Sequence, residues 1–142
     1  SPLFRNAEGG NGVINETSGN SGIGTSSPQY KLHVVGTIYA TGSITERSDI
    51  RMKDVETYSW APALSAIADA PIAIYTMKDD KEQRRRVGSI AQYWQKAMPE
   101  AVCEAADGML SMNYGEISLV SVVALAREVR QLKAQIEMLK RR

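Results

Sequence analysis

Cysteine and histidine each occur once, at Cys103 and His33, and that scarcity removes several function classes. A single thiol cannot close an internal disulfide, and no cluster of His and Cys has the spacing of a zinc site. His33 lies in an alternating apolar run and reads as a strand residue. No apolar stretch approaches the ~20 residues that cross a bilayer, and no signal peptide opens the chain. Charge of one sign is not in excess either: 17 Lys and Arg face 16 Asp and Glu, a net +1. There is thus no global case for nucleic-acid or membrane binding. The runs Arg84-Arg85-Arg86 and Lys140-Arg141-Arg142 read as solvated turn and helix-end charges. The expectation is a soluble protein, cytosolic when made, with no metal or other cofactor.

What is present changes character near residue 47. Residues 1 to about 28 are rich in Gly, Asn and Ser, with too few apolar side chains for a core. From Tyr30, Leu32, Val34 and the Ile38 region alternate with polar neighbours, which favours short strands. Gly36-Thr37-Ile38 is echoed six residues later by Gly42-Ser43-Ile44. That period is one short strand plus a turn of a fibrous or β-helical fold, and a plain hairpin fits equally. Neither could cover both faces of its strands from so thin a chain, so the missing partner is upstream sequence or other copies.

Beyond residue 47 the pattern is compact and mixed. Ser59 can cap a helix from Trp60 to about Ala68 with Pro62 in its first turn, and Asp69-Ala70-Pro71 ends it. Ile72 to Met77 and Arg84 to Gly88 read as a hairpin around Asp79-Asp80. Ser89 can cap a second helix, Ile90 to Ala97, ending before Pro99. A second hairpin pairs Val102–Glu104 with Leu110–Met112 around Asp107-Gly108.

Asn113-Tyr114-Gly115-Glu116 resembles a capping box opening a long terminal helix, about residues 115–142. Along it Val122, Leu125, Val129, Leu132, Ile136 and Leu139 recur at alternating spacings of three and four, a heptad seam. One reading is an amphipathic helix packed on its own domain. The other is an intermolecular coiled coil, favoured because about 25 helical residues extend ~37 Å, beyond what so small a body can cover. β-Branched residues at one seam position and Leu at the other would by themselves select two strands.

Between the two halves lies Ser48-Asp49-Ile50-Arg51-Met52-Lys53. A serine hydroxyl attacks a carbonyl only if a base takes its proton, and a lysine serves when burial or nearby positive charge favours its neutral form. Five residues apart, the pair would point about 140° away from each other on a regular helix and to opposite faces of a strand. Ser48 and Lys53 can therefore meet only across a turn or bulge, or between neighbouring chains. As a bare pair they are equally a linker serine and a solvated lysine.

The stretch resembles the S-D-x-R-x-K motif that opens the intramolecular chaperone domain of phage endosialidases and tail fibres, peptidase family S74. Gly88-Ser89-Ile90-Ala91-Gln92 and Pro99-Glu100-Ala101-Val102 resemble its G-x-I-A-Q and P-E-A-V blocks. Leu110-Ser111-Met112-Asn113-Tyr114 resembles its L-x-V-x-Y segment. Upstream, Gly22-Ile23-Gly24-Thr25, Lys31-Leu32-His33-Val34 and Gly36-Thr37-Ile38 look like a phage fibre stem.

This resemblance implies an α+β fold: a small mixed segment with two hairpins and short helices, a long coiled-coil helix, and a β-rich fibrous N-terminal stem. Residues 1–47 would be the stem's end, and residues 48–142 a chaperone and self-cleavage domain. The partner would be the chain itself, as a homotrimer, with no nucleic acid or membrane and with the upstream fibre or spike as client. Ser48 would be the nucleophile, Lys53 its base and Arg47–Ser48 the scissile bond. Asp49 and Arg51 would support the local geometry, and Gln92 matches a motif position near the site. The cut would occur in the host cytoplasm during assembly, leaving the stem in the virion and freeing the chaperone part. Where many relatives carry a histidine ahead of G-x-I-A-Q, this chain has Arg86 and Val87, so a contribution from that position is in question. The alternatives are a permanent trimerisation tip with inert Ser48 and Lys53, and a membrane-anchored transcription factor borrowing the domain, whose DNA-binding part and span are not in this stretch.

Overall fold

A computed structural model describes residues 19–142, together with the backbone of two strands further upstream. The chain divides into two compact units. The first takes residues 1–55 with the hairpin tip 105–109, and the second takes residues 56–104 with 110–142.

The first unit is built on a four-stranded sheet of β1 (Leu3–Arg5), β2 (Asn11–Asn15), β3 (Ser21–Ile23) and β4 (Leu32–Val34), in that spatial order. The first two pairings are antiparallel, and β3 with β4 is parallel, with Gly22 opposite His33. Strands therefore begin earlier than the composition suggests, and glycine allows the close turn after β3. A side chain at Gly22 would meet the Thr25 carbonyl at 2.5 Å, and Gly24 sits at φ +77°. His33 is a strand residue whose Nδ1 accepts from the Gln29 N–H at 3.2 Å.

The glycine repeat makes no strand here. Residues 35–49 have no ladder, and every residue from 35 to 60 is exposed. Ile38 and Ile44 are among the exposed apolar side chains. Neither the hairpin nor the β-helical reading is realised within this one chain.

The second unit contains α1 (Leu64–Ala68), a hairpin of β5 (Ala73–Tyr75) and β6 (Arg86–Gly88), and α2 (Ala91–Ala97). A hairpin of β7 (Val102–Glu104) and β8 (Leu110–Met112) comes next, and then α3 (Tyr114–Lys140). The unit is mixed α+β, with small hairpins and a long C-terminal helix, as the sequence leads one to expect. Its core is small. Trp94 and Met98, four residues apart on one face at the end of α2, bury against Ala101 and Ile117, with Tyr93, Val102, Met112 and Val120 packed around them. Burying each large apolar side chain contributes roughly 1.5–3 kcal/mol.

Three local expectations are corrected. α1 starts at Leu64, not Trp60: Pro62 keeps Ala61 out of the helical region, and Ser59 sits at φ +61° rather than in a cap conformation. Ser89 does not cap α2, because its hydroxyl is committed elsewhere and Ile90 is the first flanking residue. In the second hairpin Asp107-Gly108 is not a two-residue turn. Gly108 N–H donates to the Ala105 carbonyl and Ala105 N–H to Met109, so a four-residue turn ends in a left-handed Gly108 at φ +83°.

α3 opens as anticipated. The Asn113 side chain accepts from the Glu116 N–H at 2.9 Å. The reciprocal half of a capping box is replaced by a tertiary bond, Asn113 N–H to the Ala101 carbonyl at 2.8 Å.

Candidate active site

The Ser48–Lys53 stretch is one turn of 3-10 helix, Ile50–Met52, between two extended residues. Asp49 holds it. One carboxylate oxygen accepts from the Arg51 backbone N–H at 2.9 Å and from Arg51 Nε at 3.0 Å, and the other accepts from Arg51 Nη2 at 2.7 Å. The planar guanidinium matches the carboxylate as a two-pronged fork. That guanidinium first, and the Arg51 N–H second, hold the Asp49 carboxyl below its usual range. Met52 N–H to Asp49 O and Lys53 N–H to Ile50 O close the turn at 3.0 and 3.1 Å.

Lys53 then returns to an extended conformation, with φ −120° and ψ 132°. A helix would send side chains five apart to different sides. One turn flanked by extended residues brings them back together, and Lys53 Nζ donates to Ser48 Oγ at 2.5 Å. The contact lies within one chain. A neutral Lys53 at the same position is placed to accept the hydroxyl proton instead.

The surroundings are open. Ser48, Lys53 and Arg47 are exposed, as are Ile50 and Met52 on the turn. A lysine base requires desolvation or a cationic neighbour, and the single chain leaves this site in contact with water.

In the second unit, Gln92 lies exposed on α2, and Arg86 and Val87 lie exposed on β6. The Gly88-Ser89 block is occupied by a polar network. Ser89 N–H donates to the Tyr114 hydroxyl oxygen at 3.0 Å, Ser89 Oγ donates to the Pro71 carbonyl at 2.6 Å, and Trp94 Nε1 donates to Ser89 Oγ at 2.8 Å. A side chain at Gly88 would overlap the Tyr114 hydroxyl. A hydrogen bond to Tyr114, and burial second, raise the Tyr75 phenol above its usual value. Sequence reading missed this cluster. Its available signal was a glycine in one block and a tyrosine in another, whose meeting only the fold reveals.

Beside the network an apolar cleft of about 530 Å³ opens between α1, the β5–β6 hairpin and α3. Its walls include Ile67, Ile72, Val87, Tyr114 and Val122, and Ser118 and Ser121 also line it. The Ser121 hydroxyl is buried without a hydrogen-bond partner. From Val122 onward the seam residues Leu125, Val129, Leu132, Ile136 and Leu139 are 48 to 64 % exposed along α3.

Residues 48–103 match the peptidase S74 family, described as the chaperone of endosialidase. The match begins at the motif serine and ends at Cys103, with β8 and α3 beyond it. The chain is also similar to myelin regulatory factor homolog 1 of Caenorhabditis elegans, 32 % identical over 141 residues. That likeness takes in 89 % of this chain but only 15 % of the relative. Residues 48–142 are about two thirds of the chain, so the likeness reaches ahead of Ser48.

Proposed function

We propose that residues 48–142 form an intramolecular chaperone that assembles the upstream segment as a homotrimer and then severs itself at Arg47–Ser48. The observation that carries the reading is the 2.5 Å contact of Lys53 Nζ with Ser48 Oγ at the first residue of the family match. Neutral Lys53 takes the hydroxyl proton as Ser48 Oγ attacks the Arg47 carbonyl carbon. The C–N bond breaks, and the Ser48 nitrogen recovers the proton from the Lys53 ammonium. Water then hydrolyses the ester, leaving an Arg47 carboxylate and a chain that starts with Ser48. Asp49 and Arg51 hold the turn, and Gln92 belongs to the same motif set.

Assembly is the condition that fits an exposed dyad. Cover from a neighbouring chain would exclude water from Lys53, so that cutting waits for association. The seam of α3, exposed along its length, supports association. Seam composition favours a dimer and the family resemblance a trimer, a choice that sedimentation equilibrium of the Ser48→Ala chain decides. A helical seam nucleates locally and raises the effective concentration of its clients, whose interchain β pairing is slow. Removing it afterwards leaves the product kinetically trapped.

The cleavage test is electrophoresis under denaturing conditions. The wild type should give pieces of about 5 and 10 kDa at roughly 110 Da per residue, while Ser48→Ala and Lys53→Ala each stay whole. Both pieces from Ser48→Ala would end the assignment, and an uncut wild type would favour the permanent tip.

A second reading concerns the client. A regulatory factor is the relative whose likeness reaches ahead of Ser48, and in this reading the released part is a regulatory factor instead of a phage fibre. The residues encoded ahead of this stretch decide between the two. Release during assembly in a host cytoplasm belongs to the fibre or spike case.

A further inference from the structure

The seam of α3 has a gap. With Val122, Val129 and Ile136 at heptad position a and Leu125, Leu132 and Leu139 at d, the preceding d position is Ser118. The cleft opens at that point, with Ser118 and Val122 both in its lining. One position further, at e, Leu119 is 67 % exposed and is absent from its own cleft's lining.

The flanks of the seam suggest what fills the gap. In parallel helices aligned in register, position g of one chain faces position e of the next heptad in its neighbour. Glu128 at g would then face Lys133, an opposite-charge pair that favours this alignment. One heptad nearer the body the pair is Ser121 with Ala126, both small. At the first turn it is Tyr114, which lines the cleft, with Leu119. The flanks thus change from charged to apolar where the cleft begins.

We propose that the cleft is the socket for Leu119 of a second copy of this chain. Each chain gives Leu119 to one neighbour and receives it from another, a head-to-tail contact that closes as a ring. The incoming side chain covers Ser118 and packs on Tyr114, extending the interface from the helix seam onto the globular unit. The proposal rests on the assembly reading above.

The test uses the full chain with Ser48→Ala and Cys103→Ser, so that neither cleavage nor the native thiol intervenes. Adding Tyr114→Cys and Leu119→Cys places two thiols on α3. Within one helix these positions are separated by ~7.5 Å along the axis and point apart, beyond the Cα spacing of a disulfide. Mild oxidation should therefore give a covalent closed oligomer, reversible by reductant. Oligomers by sedimentation without cross-links would overturn the socket and leave assembly standing, whereas a monomer of the chain carrying Ser48→Ala and Cys103→Ser alone would overturn both.

Because Tyr114 also bonds to Ser89, Ser118→Cys alone in the same background is the second variant. It should cross-link chains in pairs if the seam continues through the cleft, and an oligomer that resists cross-linking overturns the proposal. With Tyr114 intact, Leu119→Asp should weaken association at least about tenfold, the loss of one buried leucine. Unchanged association would also overturn the socket.

Discussion

Gly88→Ala is ordinarily a mild substitution in a strand, because it narrows the unfolded ensemble and can stabilise by about 0.4–1 kcal/mol. Here the sign should reverse. The added methyl would overlap the Tyr114 hydroxyl and lie 3.0 Å from its ring carbon Cζ and 3.2 Å from Tyr75 Cε1. Tyr114 must move, which costs about 1–3 kcal/mol as overpacking. Its bond to the Ser89 N–H is lost as well, worth about 0.5–1.5 kcal/mol. The sum is roughly 2–4 kcal/mol, or about 8–32 °C in Tm for a unit of this size. The assay is thermal unfolding of the Ser48→Ala chain at one fixed concentration, since association would make Tm concentration-dependent. Tyr114→Phe removes the overlapping hydroxyl and keeps the ring, so Gly88→Ala should cost less in that background. An unchanged or raised Tm, or full additivity of the two substitutions, would refute the packing argument.

Met98→Ala, at the most buried position of the core, should lower stability by about 2–5 kcal/mol in urea unfolding, and a loss under about 1 kcal/mol would mean the core lies elsewhere. Ser89→Ala should cost about 1–3 kcal/mol, because Trp94 Nε1 loses its acceptor, with Trp94 fluorescence reporting the change. The Asp49 carboxyl should titrate below its ordinary 3.8. Its cap is then complete above that value and is lost as the pH falls through the depressed one. Carboxyl NMR of Arg51→Ala should show the midpoint rise, and an unmoved midpoint would remove Arg51 from the turn.

The parts of the fold legible in the sequence are those whose cause is local. The β7–β8 hairpin was visible because two apolar triplets flank Asp107-Gly108, although the turn is longer than that dipeptide suggests. α3 was visible because Asn113 caps it and no proline interrupts it. Ser59 and Ser89 depart from the capping role that their sequence context suggests, for opposite reasons. Pro62 holds Ala61 out of the helix that Ser59 was expected to cap, a local cause. The Ser89 hydroxyl is taken by Pro71 and Trp94, which no local pattern reveals. At the candidate site, the spacing of Ser48 and Lys53 required a bend or a second chain. It could not supply the Asp49–Arg51 fork that holds the bend, because a fork is geometry and the sequence lists only its residues.

Identifying the new end of the cut chain tests the central claim most directly. Intact mass and N-terminal sequencing of the purified wild type should find a fragment beginning at Ser48 and its complement ending at Arg47. Lys53→Ala should give neither. A fragment beginning elsewhere, or the same fragment from Lys53→Ala, would contradict self-cleavage by this serine and lysine.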